Sequence, residues 1–457
     1  MTHVAIIGGG PGGYEAALVA AQLGADVTVI ERDGVGGSTV LTDCVPSKTL
    51  IATSDLMTEV SGAAELGLAS STAVSVDLDV VNRRVKGLAV AQSADIAGRL
   101  EREHVSVLAG VGRLEGPTTV IADLAGGGSE RIDADVVLVA TGAHPRVVDS
   151  AQPDGERILT WEQVYDLEAL PEHLIVVGSG VTGAEFASAY NALGGEVTLV
   201  SSRDRVLPAE DADAAAVLEE VLTRRGMQVV PRSRMAGVRR DRDTVQVTLT
   251  DGTSIEGSHC LLALGSVPNS AGLGLESAGV EIADGGFITV DKVSRTSARG
   301  VYAAGDCTGV LMLASVAAMQ GRIAMAHALG DAVQPLDLRH VASNVFTAPE
   351  IATVGCSQRD VDDGVFGAEV VVLQLSGNPR AKMQGVRDGF VKLFCMPGSG
   401  TVVGGVVVAP RASELIHAVS VGVSCALTVD QMAHAFTVYP SLTGSIAEAA
   451  RRMHKRL

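Results

Sequence analysis

Short runs of β-branched and other apolar residues alternate along the chain with longer segments in which alanine and leucine recur at helical spacing. Apolar runs of this kind at residues 4–7, 27–30, 175–177, 197–200 and 301–304 predict buried strands. The alanine-rich segments that follow them predict helices. Strands that alternate with helices favour a mostly parallel sheet with helices on its faces, so the pattern predicts an α/β protein.

Two of these predicted strands lead directly into a glycine fingerprint. Glycines at this spacing permit a tight turn from strand to helix, which lets a pyrophosphate reach the helix N-terminus. Glu31 ends the strand after the first fingerprint, at about the spacing where an acidic residue accepts hydrogen bonds from an adenosine ribose. A purely structural turn does not require that acidic residue, so we predict two dinucleotide-binding folds. The first fingerprint is Gly8, Gly10 and Gly13, and the second is Gly178, Gly180 and Gly183.

The length of 457 residues suffices for about three domains with substantial cores. We predict that residues 1–150 and 272–340 form the first nucleotide-binding domain, into which residues 151–271 insert the second. From about residue 341 the pattern changes to strands with glycine turns and then to helices, which predicts an α+β domain over residues 341–457. The expected architecture is two Rossmann-like domains followed by a C-terminal α+β domain.

Composition excludes several classes of protein. Hydrophobic residues make up 47% of the chain, which excludes a disordered protein, and the net charge of −18 offers no basic surface for nucleic acid or anionic lipid. No apolar run approaches the roughly 18 residues of a membrane span, and the N-terminus enters its first strand without a signal sequence. We therefore expect a cytoplasmic protein with no stable membrane insertion. The six cysteines are scattered, so neither a metal site nor a disulfide framework is expected.

With these motifs in place, the chain resembles the two-dinucleotide-binding flavoprotein family of lipoamide dehydrogenase and glutathione reductase over nearly its whole length. The resemblance implies an FAD-binding domain, an inserted NAD(P)H-binding domain and a C-terminal dimerisation domain. It also implies a homodimer, or a higher oligomer, in which each active site is completed by the C-terminal segment of the partner. Besides the fingerprints and Glu31, the matching segments are residues 36–48, Ala140-Thr141-Gly142, Gly305-Asp306 and residues 345–355.

Thr141, Gly142 and Asp306 are accordingly expected to bind FAD. Asp306 follows a buried strand, and a carboxylate at the carboxyl end of a strand suits the hydroxyls of a bound cofactor. Lys48 matches the family lysine beside the flavin N5, and Glu185 matches its ion-pair partner. The resemblance makes both residues catalytic, although residue chemistry alone favours a solvated lysine and an ordinary helix glutamate.

The chain departs from the family where the thiol chemistry takes place. Thr39 stands at the position of the thiol that attacks the substrate, and only the flavin-facing Cys44 is present. A hydroxyl cannot form a disulfide with Cys44, so no dithiol relay is expected. In the C-terminal segment Tyr439 replaces the family's histidine base and Gly444 its glutamate. By their family positions, Cys44 and Tyr439 are candidate catalytic residues alongside Lys48 and Glu185. A phenol is a poorer base near neutral pH than an imidazole, so three parts of the disulfide-reducing machinery are missing.

The residues after the predicted strand at 197–200, which follows the second fingerprint, bear on the choice of coenzyme. Ser201 stands where an NAD-preferring site usually offers a carboxylate to the ribose 2′-hydroxyl, and Arg203 and Arg205 follow it. Without the carboxylate a 2′-phosphate is not repelled, and guanidinium groups can bind it bidentately. The alternative is that both arginines belong to an ordinary polar loop. We expect NADPH to be used, with NADH also possible.

Thr39 and Cys44 combined with Tyr439 make the chain most similar to the actinobacterial NAD(P)H:quinone reductases of this family. The resemblance implies a flavoenzyme that takes hydride from NAD(P)H onto FAD and passes the electrons directly to a quinone. A soluble pyridine nucleotide transhydrogenase and a non-catalytic flavin redox sensor remain as alternatives. Dihydrolipoamide dehydrogenase activity is disfavoured because it needs the missing thiol and acid–base pair.

Overall fold

The computed structural model describes residues 1–69 and 74–454, which contain strands, α-helices and short 3₁₀ turns. The strands are β1 (His3–Ile7), β2 (Asp26–Glu31), β3 (Ser106–Leu114), β4 (Thr119–Leu124), β5 (Ser129–Asp133), β6 (Val136–Val139), β7 (Ala143–Pro145), β8 (Ile158–Leu159), β9 (His173–Val177), β10 (Glu196–Val200), β11 (Gln228–Val230), β12 (Met235–Asp241), β13 (Thr244–Leu249), β14 (Ser254–Gly257), β15 (His259–Leu262), β16 (Ser266–Pro268), β17 (Val301–Ala303), β18 (Ala342–Val345), β19 (Glu350–Gly355), β20 (Glu369–Gln374), β21 (Phe390–Cys395) and β22 (Val402–Ala409). The helices are α1 (Pro11–Gln22), α2 (Gly37–Leu41), α3 (Cys44–Gly62), α4 (Leu78–Arg102), α5 (Val181–Ala192), α6 (Ala212–Arg224), α7 (Ala314–Ala328), α8 (Gln358–Asp362), α9 (Pro379–Met383), α10 (Ala412–Ser424), α11 (Val429–His434) and α12 (Gly444–Arg452).

The chain divides into two compact units, each made of three segments. Unit one comprises Met1–Thr49, Asn82–Arg146 and Gly265–Asp337, and unit two comprises Leu50–Val81, Val147–Leu264 and Leu338–Leu457. The three-domain division predicted from the sequence, with limits at residues 150, 271 and 340, remains a prediction. Residues 70–73 and 455–457, which fall in its first and last domains, lie outside the described residues.

Unit one contains a seven-stranded sheet in the order β17-β6-β1-β2-β3-β4-β5. Its first five strands are parallel, and β4 and β5 extend the sheet in antiparallel fashion. The central strands are continuous apolar runs because helices and loops cover both of their faces. Strand order reverses at β1, so the carboxyl ends of β1 and β6 bound the crevice where such sheets bind ligands.

Unit two repeats this design and adds a further domain. Its parallel sheet has the order β11-β10-β9-β15-β8, which reverses at β9 as the first sheet does at β1. An antiparallel sheet, β12-β13-β14, follows β11. The last segment forms an antiparallel sheet, β18-β19-β22-β21-β20, on which α10 and α12 pack. The α/β fold class with a C-terminal α+β domain is confirmed.

Candidate functional site

The first glycine turn joins β1 to α1 and has room for a ligand at one position only. Gly8 has a φ of 103°, and a Cβ there would overlap the carbonyl oxygen of Ala140. A Cβ on Gly13 would likewise overlap the carbonyl oxygen of Gly8. Gly10, the N-cap of α1, has no atom within 4 Å of a Cβ position. This opening lies before the free N–H groups at the start of α1, so the turn fits a pyrophosphate.

Glu31 ends β2 and fixes the edge of this crevice. Its carboxylate accepts hydrogen bonds from the N–H groups of Gly9, at 2.5 Å, and Asp33, at 2.8 Å. A cavity of about 740 Å³ opens beside Glu31, and residues of α4 and β3, among them Val90 and Val107, provide its apolar lining. An apolar cavity with a carboxylate at its edge suits a purine and the hydroxyls of its ribose.

Asp306 lies in the short 3₁₀ turn that follows β17. Burial, and after it the negative charge of Asp43, raises the pKa of Asp306 to about 6. A carboxylate in this position is stabilised by hydroxyl donors such as those of a cofactor. The turn is held by Gln320 of α7, which accepts from the Gly305 N–H at 2.9 Å and donates to the Thr308 hydroxyl at 3.4 Å. The sequence alone gives Gln320 no defined role.

Thr141 and Gly142 follow β6 and are locked to the chain after β16. The Thr141 hydroxyl donates to the carbonyl of Asn269 at 2.6 Å, and the Asn269 side chain donates back to the Thr141 carbonyl at 2.9 Å. Gly142 has a φ of 69° and accepts from the Asn269 N–H through its carbonyl. The Thr141 hydroxyl is therefore used to hold the segment, and the contact of Thr141 and Gly142 with FAD stays a prediction.

The segment that carries the altered thiol site forms two successive helices. Thr39 lies in α2, and Cys44 is the first residue of α3. Cys44 is partly exposed, and none of the six cysteines, all of them among the described residues, forms a disulfide. Lys48 follows Cys44 by four residues on the same helix, so both side chains lie on one face of α3. The structure thus brings together two of the predicted catalytic residues.

The second glycine turn, between β9 and α5, repeats the first. Gly178 has a φ of 114°, and a Cβ there would overlap the carbonyl oxygen of Ala263. A Cβ on Gly183 would overlap the carbonyl oxygen of Gly178, whereas Gly180, the N-cap of α5, again faces open space. The opening at Gly180 therefore fits a second pyrophosphate at a helix N-terminus.

At the end of β10 the predicted coenzyme-selecting residues have different surroundings. Ser201 is fully buried, and its hydroxyl lies 2.7 Å from that of Ser179 and accepts from the Arg203 N–H at 3.1 Å. Ser201 therefore shapes the loop from inside. Arg203 is exposed, while Arg205 is partly buried and donates to the carbonyl of Pro208 at 3.3 Å. Their roles in coenzyme binding stay predictions.

Glu185 has a structural task that sequence reasoning missed. Its side chain on α5 is only 3% exposed, and one carboxylate oxygen accepts from the Phe346 N–H at 2.8 Å. One turn later, the Ser188 hydroxyl accepts from the Ala348 N–H at 3.2 Å. The segment after β18 is thus tied along α5 by two hydrogen bonds. The ion pair of Glu185 with Lys48 remains a prediction.

Tyr439 lies between α11 and α12 in an exposed apolar segment. The exposed fraction of Tyr439 is 82%, that of Val438 is 80%, and Phe436 is fully exposed. Side chains of this size are rarely left together in water by a monomeric protein, so the segment is suited to burial against another chain. The catalytic role of Tyr439 stays a prediction.

Two glycine turns on two parallel sheets, followed by an α+β domain, form the architecture expected of a pyridine nucleotide-dependent oxidoreductase. Residues 2–321 match the family model for pyridine nucleotide-disulphide oxidoreductases, and residues 341–450 match the dimerisation domain of the same family. The chain belongs to the pyridine nucleotide-disulphide oxidoreductase family. The predicted family is therefore confirmed.

Relatives of known activity align over almost the entire chain. An NAD(P)H dehydrogenase (quinone) from Mycobacterium tuberculosis is 56% identical over 99% of this chain and 94% of its own length. A dihydrolipoyl dehydrogenase from Zymomonas mobilis is 31% identical over 99% of this chain and 97% of its own length. The crystal structure of LpdA from Mycobacterium tuberculosis matches with a TM-score of 0.96 and covers 100% of both chains at 56% identity. In the described part of this chain, no helix combines the length and hydropathy needed to cross a bilayer.

Proposed function

We propose that this protein is an FAD-dependent NAD(P)H:quinone oxidoreductase that works without a redox-active disulfide. The observation that carries the proposal is Thr39 on α2, with Cys44, which forms no disulfide, at the start of α3. A hydroxyl in place of the attacking thiol removes dithiol exchange but leaves hydride transfer to a flavin untouched. The 56% identity to an NAD(P)H dehydrogenase (quinone) supports a quinone as the electron acceptor.

In unit one, the FAD pyrophosphate would lie at Gly10 and the N–H groups of α1, with its adenosine beside Glu31. Asp306 would accept hydrogen bonds from cofactor hydroxyls, and the Lys48 ammonium would favour negative charge on the flavin ring. When bound, FAD would supply the redox chemistry, accepting a hydride from the nicotinamide and passing the electrons directly to a quinone. Cys44 is proposed to line this site without forming a covalent bond.

In unit two, the pyrophosphate of NADPH would lie at Gly180 and the start of α5. Because Ser201 is buried and uncharged, the position directly after β10 presents no carboxylate to repel a 2′-phosphate. NADH lacks that phosphate and uses the same turn, so we propose NADPH as the preferred coenzyme and NADH as an accepted one.

We further propose that the protein acts as a homodimer through its dimerisation domain. The exposed segment with Phe436, Val438 and Tyr439 supports this, because association would remove its large apolar side chains from water. Tyr439 is then the residue that each chain offers to the site of its partner.

Anaerobic stopped-flow spectroscopy tests the proposed reaction. The holoprotein is reduced with one equivalent of NADPH, its visible flavin absorbance is followed, and menadione or lipoamide is then added in separate mixings. Rapid reoxidation by menadione but not by lipoamide is the expected result. Reoxidation by lipoamide would contradict the absence of dithiol chemistry. Transfer to thio-NAD⁺ without reaction with menadione would identify a transhydrogenase, and persistent reduction with all three acceptors would identify a sensor.

The variant Cys44→Ser separates the two kinds of chemistry. Quinone turnover should stay within a few-fold of the wild type, because no sulfur–sulfur bond is made or broken. Cys425→Ser, at an exposed cysteine, is the matched control for thiol loss. A hundredfold loss in Cys44→Ser with FAD still bound would refute the proposed mechanism.

A further inference from the structure

The loops that leave β10 and β11 run side by side at the edge of the second nucleotide fold. The two strands are parallel, with Val200 paired to Val230, so both chains leave the sheet at the same level. Beyond the strands, the Arg232 N–H donates to the Arg203 carbonyl at 2.7 Å, and the Ser233 N–H donates to the carbonyl one residue after Val200 at 2.8 Å. Arg232 is therefore a direct neighbour of Arg203, although the two residues are distant in the sequence.

Arg203 and Arg232 lie on two adjoining loops, the first of which also carries the exposed Asp204. Arg203 and Arg232 are both exposed, and neither forms an ion pair with a carboxylate in the described part of the chain. Positive charges on two adjoining loops repel each other in the absence of an anion. Their arrangement is thus suited to a doubly charged ligand, because each group can bind a phosphate through two parallel hydrogen bonds.

The backbone at Arg232 is a second, independent observation. Its φ of 52° lies in the left-handed region, which costs a residue with a Cβ about 1 kcal/mol or more. Glycine would avoid this cost, yet an arginine occupies the position. Strained backbone of this kind is concentrated at ligand sites, where the side chain offsets its cost through function.

Arg205 differs from these two arginines. It is partly buried, and it donates to the carbonyl of Pro208 at 3.3 Å inside its own loop. Since the Ser201 hydroxyl also donates toward the carbonyls of Arg203 and Arg205, at 3.2 Å each, the loop is closed on itself. Arg205 is accordingly a positioning residue that fixes the course of the loop.

We propose that Arg203 and Arg232 together bind the 2′-phosphate of NADPH and that Arg232 is a coenzyme-selecting residue. In a sheet of this order, the end of the second strand, here β10, holds the adenosine ribose. A phosphate on the 2′-oxygen of that ribose would lie between the loops after β10 and β11. The inference rests on the proposed use of NADPH by this enzyme and extends it to a residue outside the sequence motif.

Calorimetric titration of the holoenzyme with 2′,5′-ADP and with 5′-AMP tests the inference, because the two probes differ only in the 2′-phosphate. Loss of a charge-assisted contact in Arg232→Ala should weaken 2′,5′-ADP binding by about tenfold to a hundredfold. Binding of 5′-AMP, and the KM for NADH, should stay within about twofold, since neither ligand carries the phosphate. Arg203→Ala should behave in the same way, and Arg205→Ala should weaken both probes.

Arg239→Ala is the matched control, because Arg239 is an exposed arginine of β12 in the same unit. It should leave the affinity for both probes unchanged. Arg232→Gly removes the same charge and also relieves the strain of the left-handed backbone. It therefore distinguishes loss of the charge from a folding defect. This variant should be at least as stable as the wild type and should lose 2′,5′-ADP affinity to the same extent as Arg232→Ala.

Unchanged 2′,5′-ADP affinity in both Arg232 variants would overturn the inference, even if NADPH-dependent quinone reduction is normal. Equal weakening of 2′,5′-ADP and 5′-AMP would overturn it as well, since the side chain would then act on the loop in general. An Arg232-dependent affinity for 2′,5′-ADP in a protein that reduces no quinone would support the inference while refuting the proposed function.

Discussion

Replacement of Asp306 by asparagine is the most direct probe of the first cofactor site. The side chain keeps its size and loses a largely buried negative charge. Among the described residues, no cation lowers the pKa of Asp306. Burial and the nearby charge of Asp43 raise its pKa from 3.8 to about 6. Without a cofactor, the folded protein must keep this carboxylate ionised at neutral pH, so Asp306→Asn should stabilise the deflavinated protein.

The size and the pH dependence of the effect follow from the shift. A difference of about two pKa units corresponds to about 3 kcal/mol of unfolding free energy. Because the folded state binds the proton more tightly than the unfolded state, Asp306 makes the protein progressively less stable as pH rises between about 4 and 6. The gain from Asp306→Asn should therefore be complete above about pH 6 and absent below about pH 4.

Urea unfolding of the deflavinated protein, followed by circular dichroism at several pH values, measures this gain. The same variant should lose FAD more readily, because an amide oxygen is a weaker acceptor than a carboxylate. Asp133→Asn is the control and should lower the unfolding free energy at neutral pH, where Asp306→Asn raises it. The reason is that hydrogen bonds from the Thr119 hydroxyl and from Arg131 lower the pKa of Asp133. If Asp306→Asn lowers stability at neutral pH, or raises it equally at all pH values, the reasoning is refuted.

Three further substitutions test other buried polar groups. In the wild type the Lys392 ammonium lies 2.8 Å from the buried carboxylate of Asp211. Lys392→Met should lower the stability measured by thermal unfolding by about 3–5 kcal/mol, because it leaves this carboxylate without its cation, and a neutral effect would contradict this. Asn344→Val should raise the Tm, since both polar atoms of the amide are buried and have no hydrogen-bond partner among the described residues; a lower Tm would reveal a partner. Gln320→Leu removes the acceptor of the Gly305 N–H, so FAD should dissociate faster from this variant in a flavin-fluorescence assay. An unchanged rate would show that the turn keeps its conformation without Gln320.

The two nucleotide turns were predictable because everything that determines them is local. A strand, three glycines and a helix within about a dozen residues fix the turn, and the α/β class follows from the repeated pattern. Arg232 was not predictable in this way. It becomes a neighbour of Arg203 only through the parallel pairing of β10 with β11, which the residues between them do not encode as a motif.

Residue type was also more predictable than side-chain direction. The sequence shows that Ser201 replaces an acidic residue, but the structure was needed to show that its hydroxyl faces inward to Ser179. Glu185 was assigned from its motif, and the motif did not reveal that one of its carboxylate oxygens accepts from the N–H of Phe346, a backbone group that every residue except proline offers. Contacts of this kind leave no signal in the identity of the partner residue.

The glycine turns have a consequence for how such sequences diverge. Gly8 and Gly13 are required by carbonyl oxygens of the protein itself, whether or not a nucleotide is present. A descendant that no longer bound flavin would therefore keep both glycines. Gly10 alone is free to drift once nothing occupies the space before it. In a family member without a cofactor, replacement of the middle glycine is thus the change that indicates the loss of cofactor binding.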